Sequence, residues 1–127
     1  MKLRFLSPTN HGIVDYAAAV ALIGGPFILG LGSSNPAALW ISVVTGITVI
    51  IVSIATRYRY GIFKLIPFGG HLALDLLVAT AFMFVPYLFK LEGVDAAYFY
   101  INAVVVYLVV ALTASETPEA HPGSSRF

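Results

Sequence analysis

Residues 15–57 read DYAAAVALIGGPFILGLGSSNPAALWISVVTGITVIIVSIATR. An acid opens this stretch, a base closes it, and nothing between them carries a charge. A helix needs about 20 mostly apolar residues to cross the hydrocarbon of a bilayer. The interval is long enough for two such helices, and it is broken in the middle by Ser33-Ser34-Asn35-Pro36, residues that favour turns. It predicts two antiparallel spans around a short turn. Two further uncharged intervals, Asp75 to Lys90 and Asp95 to Glu116, have room for one span each.

The expected fold is therefore an all-α bundle of four transmembrane helices. The helices should run from about Pro8 to Gly32, Pro36 to Thr56, Gly69 to Phe89 and Ala96 to Ser115. Ser7 is a good N-cap, and Pro8 suits a first helical position. The apolar runs are too long, and alternate too little, for the strands of a membrane barrel.

Composition agrees. Of 127 residues, 59% are hydrophobic and 10% charged, whereas a soluble domain has about 25% charged residues. The mean hydropathy is +0.91. A core of this size cannot hide that much apolar surface, so the lipid bilayer is the expected partner. The formal net charge of +1 gives no field for nucleic acid. With no cysteine, disulfides, thiolate metal sites and cysteine nucleophiles are excluded.

Basic residues set the expected orientation. Lys2, Arg4, Arg57, Arg59, Lys64 and Arg126 fall on one side of a four-span chain. Lys90, beside Glu92 and Asp95, falls on the other. Both termini should be cytoplasmic in a cell membrane. Trp40, Tyr58, Tyr60, Tyr87, Tyr98 and Tyr100 fall near the expected interfaces, as an aromatic belt would. Lys2 and Arg4 resemble the start of a cleaved signal, but the stretch after them carries Asp15 and Pro26 and no small-residue cleavage site. Residues 116–127 read as a mobile polar tail, with His121 solvated.

The chain matches itself when shifted by 60 residues without a gap. His11 falls on His71, Asp15 on Asp75, Pro26 on Pro86, Asn35 on Asp95, Trp40 on Tyr100 and Ser42 on Asn102. A single membrane domain over 1–127 is expected, with one unit over about 8–56 and its copy over about 69–115. Each unit holds two spans, so both copies enter the membrane in the same sense, about an axis along the membrane normal. Pro26 and Pro86 should kink their helices.

The unit resembles the SPW-repeat integral membrane proteins, whose mark is a Ser-Pro-Trp triplet late in the first helix of a two-helix unit. The triplet positions here read Gly25-Pro26-Phe27 and Val85-Pro86-Tyr87: the proline stays, and an aromatic replaces tryptophan. The resemblance, from about His11 to Ser115, implies the fold and carries no activity with it.

His11 and Asp15 are four residues apart and share a helix face, as do His71 and Asp75. An ionisable residue within a span is costly and points to function. Parallel copies would put all four side chains at one depth near the cytoplasmic face. Three readings stand. In the first, the cluster is architectural and gives the protein a structural or interaction role, with Arg57, Arg59 and Lys64 as counter-charges. In the second, it holds a divalent metal such as zinc, iron or manganese, or the two histidines hold haem. In the third, a homodimer couples protons to transport of a small ligand. Enzyme chemistry has little support, since no nucleophile triad, phosphate loop or metalloprotease motif is present.

Overall fold

The computed structural model describes residues 5–113. The expected polar tail and His121 lie outside the described residues. Within them are four helices: α1 (Pro8–Leu29), α2 (Ala37–Ile54), α3 (Phe68–Leu88) and α4 (Gly93–Leu112). All four are long and apolar enough to cross a membrane. No strand forms among the described residues. Two isolated bridges, Leu6 with Thr113 and Thr56 with Ile66, tie the chain before each odd-numbered helix to the end of an even-numbered one.

Local chemistry explains the ends. Ser7 accepts from the Asn10 N–H, and Pro8 opens α1. Helices α1 and α3 continue past their prolines, to Leu29 and Leu88. The proline carbonyls near each helix end accept from just beyond it: Leu31 N–H donates to Pro26 and Leu91 N–H to Pro86, both at 2.9 Å. The residues that turn the chain out, Gly30 and Lys90, are both left-handed, with φ of 69° and 54°.

Backbones approach within each hairpin, α1 against α2 and α3 against α4. Small residues permit this in lipid, where no hydrophobic force drives helices together. Ala19 and Ala79 are fully buried on the first helices. Gly46 faces Ala19, and a Cβ at 46 would lie 2.9 Å from the Ala19 carbonyl oxygen and 2.7 Å from Ile23 Cγ1. Gly46→Val should therefore destabilise by about 2–3 kcal/mol through overpacking. Gly24→Val, placed in open space, should stay within about 0.5 kcal/mol of wild type. Thermal unfolding of both in one detergent checks the contrast.

Between the hairpins lies a core of Leu22, Leu31, Phe82, Val85, Leu91 and Phe99. Phe82 and Phe99 meet edge to face with centroids 4.7 Å apart. Outward, Val20, Ile28, Val44, Ile51, Leu77 and Ile101 are exposed, an apolar surface suited to lipid. Trp40, Tyr60, Tyr87 and Tyr100 are also exposed, but Tyr58 is buried and Tyr98 hydrogen-bonds Ser42. Two tyrosines expected in the interfacial belt therefore have internal partners.

The two hairpins correspond, though not throughout at the expected spacing. Buried positions of α1 and α3 match at 60 residues: His11 with His71, Ala19 with Ala79, Leu22 with Phe82, Pro26 with Pro86. Those of α2 and α4 match at 57: Ala38 with Asp95, Ser42 with Phe99, Gly46 with Ala103, Ser53 with Val110. The backbone agrees. Leu6 N–H donates to Leu112 and Ile66 N–H to Ala55. The turn Ser33-Ser34-Asn35-Pro36 makes the difference, since the second turn is three residues shorter and α4 starts directly at Gly93. Asn102 thus stands where Thr45 does, and both bond back to the carbonyl four residues earlier.

Candidate functional site

The one-turn spacing of His11 and Asp15 on α1, repeated by His71 and Asp75 on α3, brings all four side chains to one point between the hairpins. Their ligand atoms lie within 4.8 Å of one another. His11 is fully buried, His71 is 1% exposed and Asp15 is 7% exposed. Asp75 is the most open member, its side chain 19% exposed.

The contacts cross between the hairpins. His11 Nε2 is 3.1 Å from Asp15 Oδ1 and 3.0 Å from Asp75 Oδ2. His71 Nε2 is 2.9 Å from Asp15 Oδ2 and 3.5 Å from Asp75 Oδ2. Each carboxylate thus bridges both imidazoles. The imidazoles pack edge to face, with centroids 5.5 Å apart, and both Nε2 atoms lie beside the carboxylates. Phe68 closes the site, edge-on to His11 and stacked on His71.

Three residues outside the four hold this geometry. Thr113 Oγ1 lies 2.9 Å from His11 Nδ1, and Thr56 Oγ1 lies 2.8 Å from His71 Nδ1. Each threonine hydroxyl donates its proton to the carbonyl four residues back, Val109 or Val52. Each oxygen is then left as an acceptor, so it is the histidine Nδ1 that carries a proton and donates. The third is Tyr58, whose hydroxyl donates to Asp15 Oδ2 at 2.9 Å. Both threonines sit at second-helix ends, 57 residues apart. The gapless shift of 60 sets Thr56 against Glu116 and Thr113 against Ser53, which hides them. A gap of three residues in the repeat would have found them.

Arg57, Arg59 and Lys64 do not serve as the carboxylates' counter-charges among the described residues. No lysine or arginine there lies in ion-pair reach of Asp15 or Asp75. Arg57 Nε donates to the Lys64 carbonyl, and Lys64 Nζ donates to that of Tyr58. The loop folds these bases onto its own backbone, and the carboxylates meet histidine and tyrosine instead.

Burial, and the Asp15 carboxylate beside it, push the Tyr58 phenol far above its ordinary value. An unfolded phenol titrates near 10. Because the folded value is the higher one, the contribution of Tyr58 is intact below about pH 10 and declines as pH rises further. Tyr58→Phe should cost about 1–2 kcal/mol at neutral pH, by leaving an Asp15 oxygen short of a donor. It should also flatten the alkaline limb of a melting-temperature profile, measured beside wild type.

Chemically, the site offers two imidazole nitrogens and two carboxylates in a nearly dry pocket. It can hold protons or a cation. Neither threonine is poised as a nucleophile, since each hydroxyl proton is spent on a carbonyl.

No curated protein and no solved structure matches the chain. The family model of the SPW repeat domain matches residues 9–116, a span that holds both histidines, both aspartates and both threonines. The chain is a small multi-pass membrane protein with four spanning helices, and it belongs to the SPW repeat family.

Proposed function

We propose that this protein is a membrane scaffold whose two hairpins are joined by the His/Asp cluster into one rigid bundle. The observation that carries this reading is the crossed bridging: Asp15 of α1 reaches His71 of α3, and Asp75 of α3 reaches His11 of α1. Buried charged or polar groups that satisfy each other across elements fix register and discourage alternative packings. The spare surface is apolar and meets lipid. The test is the Asp15→Asn, Asp75→Asn double variant, heated in detergent beside wild type. Loss of the monodisperse species at a clearly lower temperature is expected. An unchanged melting temperature would remove the scaffold reading.

We place the bundle in the cell membrane with both termini and the cluster on the cytoplasmic side. The support is the bias of basic residues, Arg57, Arg59 and Lys64 against Lys90. The chain has no cysteine, so single cysteines report topology cleanly. In intact cells an impermeant thiol reagent should label Ser33→Cys and spare Arg59→Cys. The reverse pattern would invert the orientation.

A further inference from the structure

We propose that His11, Asp15, His71 and Asp75 are the four ligands of a divalent transition-metal ion of zinc's kind, held between the two hairpins. This rests on the cluster taken above as the joint of the scaffold, and it names what that joint holds.

Each Nδ1 donates its proton to a threonine oxygen whose own proton is already committed. With Nδ1 committed in this way, it is Nε2 of each ring that faces the carboxylates, and at His11 it lies at hydrogen-bond distance from Asp75 Oδ2, where either a proton or a metal ion can sit. Ring nitrogens and carboxylates facing one another in a buried site need protons or a metal ion among them, and the two histidines differ in how well a proton would serve.

At His71 a proton does not fit. Its side chain is 1% exposed and lies 2.9 Å from Asp15 Oδ2, yet Nε2 makes no hydrogen bond. The oxygen is close but out of line with the ring nitrogen, so a proton there would not serve. A metal ion set between the ligands needs no such alignment. It has only to lie along the lone pairs.

Spacing and charge agree. An ion about 2.0–2.2 Å from nitrogen and oxygen ligands in a tetrahedron separates them by roughly 3.3–3.6 Å. The nitrogen–oxygen separations, 2.9, 3.0, 3.1 and 3.5 Å through both oxygens of Asp15, are near or below this range, while separations in the set of four extend to 4.8 Å, so the ligands must spread along some edges and close along others. Two carboxylates neutralise a divalent ion and leave no net charge within the membrane. Imidazole ligands and a coordination number of four favour zinc or its neighbours. Calcium and magnesium take more ligands, all oxygen. The carboxylates fill the space between the imidazoles, which leaves no room for a macrocycle. Thr56, Thr113 and Tyr58 act as the outer partners that orient metal ligands. With four protein ligands the site is closed, the pattern of structural rather than catalytic zinc. The partly exposed edge at Asp75 is the entry.

The test uses the full chain, purified in detergent without chelator. Elemental analysis should find about one zinc or similar divalent ion per chain. Chelator-stripped protein should melt at a lower temperature and recover with Zn²⁺, but not with Mg²⁺ or Ca²⁺. Titration with Co²⁺ should give the intense visible bands of a tetrahedral nitrogen–oxygen site. His71→Gln should lose those bands. Thr56→Val keeps all four ligands and should weaken Co²⁺ binding about tenfold or more, which guards against a ligand variant that simply fails to fold. Wild-type protein that is folded, carries no metal, gives no tetrahedral Co²⁺ spectrum and shows no Zn²⁺-dependent melting shift would overturn the site. The scaffold reading would survive that result if the double aspartate variant is unstable. A metal-loaded protein whose double variant melts like wild type would overturn the scaffold and leave the metal.

Discussion

Asp15→Asn alone should destabilise the protein by about 3–5 kcal/mol, the range for removing one partner of a buried charged pair, and Asp75→Asn by much less. The two aspartates are copies of one position, so composition gives no reason to rank them. Their surroundings do. Both oxygens of Asp15 are committed: Oδ1 faces His11, while Oδ2 faces His71 and accepts from Tyr58. An asparagine has one acceptor and one donor, so an amide NH₂ must point at a group that needs an acceptor. Asp75 meets both histidines through Oδ2 alone. Asparagine can set its oxygen there and turn the NH₂ toward the exposed edge, where a loss of about 1–2 kcal/mol is expected. Melting of the two single variants in one detergent decides the matter. Equal losses, or a larger one at Asp75, would mean that the crossed contacts do not set the energy.

Gly61→Ala should be nearly as damaging, although residue 61 touches none of the four cluster residues. A Cβ there would lie 1.8 Å from the Thr56 carbonyl oxygen, a separation no backbone tolerates. The neighbourhood offers little relief. Gly61 N–H bonds to the Tyr58 carbonyl, Arg57 N–H to Ile66, and Ile62 N–H to Ile54. To admit a methyl group the loop must move, and with it Thr56 and Tyr58. A cost of about 3 kcal/mol is expected, at the upper end for overpacking. The damage should also resemble that of Tyr58→Phe, with a weakened alkaline limb, because the same loop positions the phenol. A melting temperature for Gly61→Ala close to wild type would show that the loop is not coupled to the site.

Most of the architecture was legible because lipid imposes a strict rule. Long uncharged runs must be helices, and the three polar interruptions at Ser33–Pro36, Arg57–Lys64 and Lys90–Asp95, with the two ends, had to be turns or tails. The pairing of His11 with Asp15, and of His71 with Asp75, followed from helical spacing and from the repeat. The outer partners were not legible. Thr56 and Thr113 look like ordinary helix-end residues until the repeat is allowed a gap. Tyr58 reads as an interfacial aromatic, since a sequence does not show that its loop folds back over α1. Arg57 and Lys64 were expected near the carboxylates because opposite charges attract. Backbone carbonyls within their own short loop lie closer and need no buried ammonium or guanidinium.

At the far end of the bundle the hairpins also touch, without symmetry. Asp95 of α4 is fully buried and accepts from the Gly32 and Ser34 N–H groups and the Ser34 hydroxyl of the first turn. Asn35 donates to the Phe89 carbonyl across the same junction. The position corresponding to Asp95 in the first copy is Ala38, and the second turn is too short to offer these donors in return. Two identical hairpins could rebuild the histidine–aspartate square, since each brings one His and one Asp. They could not rebuild this clasp, whose hook and eye lie on different copies. Joining both copies in one polypeptide is therefore more than doubling. It let one end of the molecule keep its paired histidines, aspartates and threonines while the other specialised, a division of labour that no homodimer of the single unit can reach.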